Sequence, residues 1–541
     1  MGSGFFGLDI AIRGLYSAQR QLDVVNNNIN NINTPGYSRQ VAVQVATTPL
    51  ALNDGTGMMG TGSEVIAVNR VRDEYLDYKY WSEQCTYGEN KIKSELLADI
   101  EATFNEPSNS GFTQMLNEFY NALQELSKDP SSEATRTLVK QKGITVAKYF
   151  NNTATHFEKL QADINYRINT VVTEINSLAN QITKLNRQIY TIELNGTIAN
   201  ELRDQRTVLV DKLSSLVDIT ANEVTVGTLP NGQEDKHFVI TIGGKTLVNH
   251  FDYTKLVLNQ RNDKLNPEDI ANLYEVSWED GNELIINSGE LKGYLDVRDG
   301  NLGQNGSPNY AGIPYYISKL NEFARTFAMA FNEGFIDADR NGLIEDDKGE
   351  NVLGHADGYK LNSTGGETEP AGIRFFTYIG DDGAAVDSLT FIGGATSKAD
   401  IMEKYKKITA ANLAVGMDVI NDINNICTSG QAGKIENTDI ISSLIDLRDN
   451  SHMFAEGKPE DFMKSLVAFL GIDSQQAKRM AESQDNIIKL IENSRLSISG
   501  VSIDEEMVNM IKSHQVYAAS AKMITTMDEV YEILINKVGK W

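Results

Sequence analysis

The stretch that decides the fold reads Leu22-Asp23-Val24-Val25-Asn26-Asn27-Asn28-Ile29-Asn30-Asn31-Ile32-Asn33-Thr34-Pro35-Gly36-Tyr37-Ser38-Arg39-Gln40. Its first half closes a heptad pattern begun upstream: Leu8, Leu15, Leu22 and Ile29 recur every seven residues, with Ala11, Ala18, Val25 and Ile32 at the second apolar position. Alternating steps of three and four residues keep one stripe on one side of a helix, the signature of a coiled-coil seam. Asp9, Arg13, Gln19 and Arg20 place the rest of the circumference in water. Proline restricts the residue before it and glycine supplies turn geometry, so the helix is expected to stop at Thr34-Pro35-Gly36.

Beyond the stop, apolar and polar residues alternate over Val41 to Val45. Gly55, Gly57, Gly60 and Gly62 then interrupt the chain before a second strand-like run, Glu64 to Val71, which together predict an extended or hairpin segment. Helical spacing follows at about 73–105, 112–127 and 133–150. A long rod-like helix carries Ile164, Ile168, Val171, Ile175, Leu178, Ile182, Leu185, Ile189 and Ile192 up to Asn195-Gly196, and a shorter one spans Ile198 to Val217. Between about 221 and 299 the period drops to two, with strand-like runs at Val224 to Val226, His237 to Ile242, Tyr253 to Leu258 and Leu284 to Ile286. Helix returns over Ile313 to Phe331. A Gly- and Asp-rich stretch then carries few strong elements apart from Phe375 to Ile379 and Leu389 to Ile392, and the chain is helical again from about 403.

At the far end Met507, Met510, Tyr517, Ala521, Ile524, Tyr531, Ile535 and Val538 occupy heptad-related positions. The expected fold class is mainly α with β-rich inserted domains, the N- and C-terminal parts forming a long coiled-coil-like helical bundle in a multi-domain chain. Five parts are expected: 1–75, an axial helix and extended segment; 76–220, a helical core joined by 300–335 and 401–500; 221–299, a β-rich insert; 336–400, an irregular or β outer insert; and 501–541, a C-terminal axial helix.

Composition narrows the function. Apolar residues make up 41% of the 541 and charged ones 23%, ordinary values for a folded chain. A net charge of −25 repels phosphate backbones and anionic lipid, and no basic patch offsets it, so neither nucleic acid nor a membrane is expected as a partner. Cys85 and Cys427 are too few for a disulfide framework and are expected to be buried free thiols. No apolar run reaches membrane-spanning length, and the N-terminus lacks the basic and apolar regions of a cleaved signal.

Catalytic patterns are missing. The six histidines stand apart from one another and from any cysteine cluster, so no metal site is expected. Gly244-Lys245-Thr246 looks like the end of a phosphate-binding loop, but the first required glycine would fall on Val239, which favours a turn between two strands. One acidic loop stands out: Asp337, Asp339, Asn341 and Glu345 fill positions 1, 3, 5 and 9 of a calcium-loop pattern, with Gly342 at 6. Position 12 is Lys348 rather than a carboxylate, so any calcium binding is expected to be weak. The alternative reading from a different class is therefore a calcium-dependent binding protein or enzyme built on the β-rich insert.

The run Asn27-Asn28-Ile29-Asn30-Asn31 followed by Thr34-Pro35-Gly36-Tyr37 resembles the N-terminal signature of the flagellar rod, hook and hook-associated axial proteins. Ser38-Arg39-Gln40 is similar to the version found in the hook-associated members. The likeness continues in Gln124-Glu125-Leu126, Asp129-Pro130, Ala134 and Arg136, in Phe331 to Gly334, and in the run from Ser497 to Met507 with Gln515 and Tyr517.

This resemblance implies a structural subunit of the bacterial flagellum that joins hook to filament, without catalysis or cofactor. It implies export without a cleaved signal through the flagellar type III apparatus to an extracellular position. The partners it implies are flagellar hook protein on one side, hook-associated protein 3 on the other, copies of itself in a tubular ring, and a cytoplasmic flagellar export chaperone on the C-terminal region. The assembly residues expected are Leu8, Leu15, Leu22, Val25, Asn27, Asn28, Ile29, Gly36 and Tyr37 at one end. At the other they are Met507, Met510, Tyr517, Ile524 and Tyr531.

A lone amphipathic helix is marginal in water. Both ends are therefore expected to stay mobile in the free subunit until neighbours cover their stripes, at about 25 cal/mol per Å² of apolar surface buried.

Overall fold

The structure is a computed structural model that describes residues 6–51, 57–104, 111–228, 234–336 and 352–538. The calcium-loop candidates Asp337, Asp339, Asn341 and Glu345 lie outside the described residues. In chain order, helix α1 (Phe6–Asn30) is followed by strands β1 (Gln40–Ala46), β2 (Leu50–Ala51), β3 (Met58–Met59) and β4 (Ser63–Arg70). Helices α2 (Glu74–Phe104), α3 (Phe112–Lys128), α4 (Glu133–Glu193) and α5 (Asn200–Leu216) come next. The β-rich part holds β5 (Thr220–Thr228), β6 (Glu234–Ile242), β7 (Lys245–Asn249), β8 (Asp252–Tyr253), β9 (Leu256–Gln260) and β10 (Tyr274–Trp278). The chain then runs through α6 (Glu290–Asp299), α7 (Ile313–Glu333), β11 (Phe376–Tyr378), α8 (Ser388–Ile392), α9 (Lys398–Tyr405), β12 (Leu413–Val415), α10 (Met417–Asn421) and α11 (Asp439–Asp446). It closes with α12 (Pro459–Ser499) and α13 (Ile503–Ile533).

Helix α4 is one uninterrupted rod of 61 residues, where the sequence suggests two helices separated near 150–164. Ser132 caps its start by accepting a bond from the Thr135 amide at 3.4 Å, and no glycine or proline occurs between Asn151 and Asp163 to break it. The apparent gap arises because the buried stripe passes through Gln161. Its amide donates to Asp269 at 2.9 Å and to the Arg298 carbonyl at 3.0 Å, and its oxygen accepts from the Ile270 amide at 2.9 Å. A buried polar group with every partner supplied costs little, so the helix runs on where the apolar pattern lapses.

Around α4 the core is aromatic. Phe323 of α7 stacks on Phe150 with centroids 5.2 Å apart and on Phe454 at 4.8 Å, and meets Phe112 of α3 edge-on at 5.1 Å. Such pairs contribute about 0.5–1.5 kcal/mol each beyond their burial. Phe375 and Phe376, within the stretch that the sequence assigns to an outer insert, are fully buried in this cluster against Phe119 and Phe331. That stretch therefore contributes to the main core, anchored by Asn332, which donates to the Phe376 carbonyl at 2.6 Å and accepts from its amide at 3.0 Å. Leu389 to Ile392 falls in the short helix α8, capped by Asp387.

In the β-rich part β5, β6, β7 and β8 form an antiparallel meander, and β9 pairs with β10. Gly243-Gly244 makes the tight β6–β7 turn, so Lys245 opens a strand. Leu284 to Ile286 lies outside the strands; the run that pairs instead is Tyr274–Trp278, whose Trp278 is buried. The segment then re-enters the core as α6, which packs on α2 through Lys93 and Asp296, 2.7 Å apart. Cys85 and Cys427 are free and buried. No helix among the described residues is long and apolar enough to cross a membrane.

His355 is fully buried at the junction of this core with the 423–429 segment. Its Nδ1 donates to the Ile373 carbonyl at 2.7 Å and its Nε2 accepts from the Cys427 amide at 2.9 Å. Burial pushes its pKa down to about 4. The neutral ring is therefore held in the fold while the unfolded chain takes up a proton near pH 6.5, so stability is fully present above 6.5 and falls as pH drops toward 4. This one group should cost the core roughly 2 kcal/mol between pH 7 and 5. Thermal melting of the parent and of His355→Asn at both pH values should show a shallower acid decline in the variant; equal declines would contradict it.

Candidate assembly site

Helices α1 and α13 lie side by side and antiparallel along their length. Four facing pairs, each seven residues from the next, define the register. A Cβ added at Gly7 would meet the Met527 methyl at 2.7 Å, and one at Gly14 would meet the Ser520 hydroxyl at 3.0 Å. The Ser513 hydroxyl donates to Gln21 at 3.0 Å, and the Asn28 amide donates to Glu506 at 3.1 Å. The line of closest approach is thus Gly7, Gly14, Gln21 and Asn28, one residue earlier than the leucine stripe of the sequence reading. Small side chains let the backbones come together, and the bulkier residues straddle the contact.

Leu8, Leu15, Leu22 and Ile29 are half-buried beside this line, whereas Val25, Ala11 and Ala18 are buried on it. On α13 the half-buried Met510, Tyr517, Ile524 and Tyr531 occupy the intervening heptad position, and Met507 points outward at 51% exposure. The ends of a single chain therefore cover one side of each other, the pairing of N- and C-terminal parts that the sequence predicts, and leave their other sides open. On its next face α1 carries the β1–β4 hairpin, held by the Ser17 hydroxyl donating to the Ser63 carbonyl at 3.0 Å.

The signature stretch after α1 folds into a polar elbow that joins this coil to the helical core. Asn28 is its centre, 1% exposed. Its Nδ2 donates to the Gln40 carbonyl at 2.9 Å as well as to Glu506, and its Oδ1 accepts from the Gln40 amide and the Tyr37 hydroxyl, both at 2.9 Å. All four hydrogen-bonding positions of the amide are filled. Burial, then Glu201, Asp204 and Glu506, raise the Tyr37 pKa well above its ordinary value, so the phenol stays a donor. Asn27 donates to Glu201 at 3.2 Å and accepts from Asn31 at 2.9 Å.

Ser38 ties the elbow to α5: its amide and hydroxyl both donate to Asp204 at 2.8 Å, and Arg70 reaches the same carboxylate at 3.0 Å. Arg39 ties it to the other terminus. Its Nε donates to Glu506 at 2.8 Å, its Nη1 to Glu505 at 2.9 Å, and its backbone amide to the Ser499 carbonyl at 2.8 Å. Below, Arg495 of α12 bridges Asp77 at 2.8 Å and Asp211 at 3.1 Å. Burial raises the Asp211 pKa against the pull of Arg495 and the Trp81 indole. The sequence reading passes over Asp77, Asp204, Asp211 and Arg495, and takes Glu506 only as part of the Ser497 to Met507 run, because each sits among other charges on its helix and nothing local sets it apart. The usable hint is the polar interruption of the stripe at Gln21 and Asn28.

Gly36 has two reasons to be glycine: its φ is +78°, and a Cβ there would lie 2.2 Å from a Val208 methyl of α5.

Paired antiparallel terminal helices, a hairpin laid along one of them and a polar elbow onto a helical core make up the site, and the comparisons with known proteins cover all of these parts. The family described as Flagella basal body rod protein matches residues 8–37, Flagellar basal body rod FlgEFG protein C-terminal matches 492–537, and Flagellar hook-associated protein FlgK helical domain matches 97–343. Flagellar hook-associated protein 1 of Bacillus subtilis strain 168 is 31% identical over 558 residues, covering 100% of this chain and 99% of its own. Its namesake from Escherichia coli K12 is 28% identical over 572 residues, covering 97% and 98%. Among solved structures, the flagellar hook junction protein FlgK from Burkholderia pseudomallei shares the fold at a TM-score of 0.52 and 14% identity, over 78% of this chain and 100% of that one. The chain belongs to the flagellar hook-associated protein 1 family.

Substituting Gly36→Ala should cost on the order of 2 kcal/mol locally, from left-handed backbone strain and overlap with Val208. Hydrogen exchange at the Ser38 and Arg39 amides, which are bonded to Asp204 and Ser499, should speed up at least tenfold. Adding Val208→Ala should recover only part of the protection. Unchanged exchange in Gly36→Ala would contradict the account of the elbow.

Proposed function

We propose that this chain is a structural subunit joining hook to filament, assembled through α1 and α13 and performing no catalysis. The observation that carries the reading is the surface of α13 that α1 leaves bare. Met507, Ile511, Val516, Met523, Val530 and Ile533 are each 44–55% exposed and spread around the helix. Large apolar side chains left bare on a helix call for cover, and α1 covers only one side of this one. The remaining sides suit neighbouring subunits in a tube, which supply the cover that a single chain cannot.

The partners follow from the resemblance. Hook protein lies on one side, hook-associated protein 3 on the other, and copies of this chain lie alongside. Head-to-tail contacts in a tube continue until something ends them, so a junction subunit presents different faces above and below. An export chaperone holding the C-terminal region would cover the same apolar surface before export. Passage through the type III apparatus to the cell exterior without a cleaved signal completes the reading. Residues Leu8, Leu15, Leu22, Ile29, Met510, Tyr517, Ile524 and Tyr531 would hold the coil together, and the outward residues of α13 would meet the neighbours.

A strain lacking this gene and complemented with Val516→Asp plus Met523→Asp tests the reading, since both positions face solvent in the single chain. The purified variant should keep its helix content, and the cells should carry bare hooks and shed flagellin into the medium. Filaments still attached to hooks in the uncomplemented deletion strain would overturn the proposal.

A further inference from the structure

The coil of α1 and α13 has two unlike sides. Side chains on each helix are set about 100° apart around the axis. In an antiparallel pair the residues three after the line of contact therefore fall on one side for both helices, and those one or four after it fall on the other.

On the first side the hairpin packs on α1, where Val24 and the Ser63-bonded Ser17 are buried. The same side of α13 is bare. Val516, Met523 and Val530, each seven residues from the next, are 51%, 51% and 44% exposed there. With the exposed, uncharged Ala519 and Thr526 between them, they form an apolar ridge roughly 21 Å long.

The second side carries a groove. One wall is the half-buried stripe Leu8, Leu15, Leu22 and Ile29 of α1, and the other is Met510, Tyr517 and Ile524 of α13. The small, buried Ala11 and Ala18 lie between the walls. The stripe runs for roughly 32 Å, longer than the ridge, and repeats every seven residues as the ridge does. A ridge packs into a groove when their spacings match.

Ridge and groove lie on opposite sides of one coil, so they cannot meet within a chain. A copy set alongside offers its groove to the ridge of the first and its own ridge to a third. Such a contact joins unlike surfaces and passes from copy to copy around a ring. Charge favours the same occupant. At −25 per chain identical subunits repel one another over most of their surface, and the ridge and both walls of the groove are free of charged residues.

We propose that the Val516/Met523/Val530 ridge of one copy seats in the Leu8/Leu15/Leu22/Ile29 groove of the copy beside it. The proposal rests on the assembly reading above and names the faces through which neighbouring copies meet.

Photo-cross-linking in isolated flagella tests it. A benzoylphenylalanine probe replaces Ala519 on the ridge, and the altered chain is expressed beside the parent chain so that assembly does not rest on the altered copies. Irradiation should give a species of twice the chain mass, and mass spectrometry should place its link within residues 8–30 of the second copy. The probe at Thr526 should do the same. From the exposed rim of the groove, the probe at Gln19 should link to residues 512–533 of the second copy. At Lys159, exposed on α4, it should give at least tenfold less of either link.

Dimers linked elsewhere in the second copy, links from the ridge to a different protein, or no dimer from all three positions would each overturn the ridge-in-groove contact and leave the junction reading standing. If the parent chain is missing from isolated flagella, the junction reading fails and takes this inference with it.

Discussion

The fold depends on a buried amide that holds two chain ends in register. The α1–α13 seam is lined with Gly7, Gly14, Ser513 and Ser520, residues that permit close approach but bury little apolar surface. Such a seam has no strong hydrophobic preference for one alignment over another. Asn28 supplies the choice, because only in this register does its amide reach Glu506 while also holding Gln40 and Tyr37. Sliding α13 by one heptad would set Asn28 opposite Ser513 and Gly14 opposite Met527, and would strand Arg39 without Glu506. Polar residues at coiled-coil seams specify register in this way at some cost in stability. Glu506 also lies in the first turn of α13, where the helix dipole favours a carboxylate.

The same cluster sets the direction of the coil. Ser38 on Asp204, Arg39 on Ser499 and Arg495 on Asp77 and Asp211 tie the end of α1, the start of α13 and the end of α12 to α5 and α2. A coil fixed at one end in this manner presents its free faces at a defined angle to the core. Subunits in a tube need that property, since an error in angle accumulates from one copy to the next.

Much of this was legible in the residues. Periodicity marked α1, α3 and α7, and alternation marked β6, because there the buried face is largely apolar; α5 was read from its leucines although Asn200, Asp204, Arg206 and Thr207 lie on its buried face. The reading faltered where burial is polar. Gln161 hid the continuity of α4, and Asn28 and Gln21 hid the true line of contact in α1, since a satisfied amide in a seam looks like an exposed one in a sequence. Phe375 and Phe376 were visible as apolar, but their place in the aromatic core depends on contacts with Phe119 and Phe331, far away in sequence. The elbow's acidic partners, Asp204 and Glu506, could not be separated from the other carboxylates without knowing which helices meet.

The most direct measurement is a double-mutant cycle on Asn28→Ala and Glu506→Ala, read from the unfolding of the terminal coil by hydrogen exchange across 6–30 and 503–533. Residues that share a buried hydrogen bond couple by about 0.5–3 kcal/mol. The account predicts coupling of at least 1 kcal/mol, with the second substitution costing much less once the first has been made. Two losses that simply add would show that the two residues do not hold the helices together.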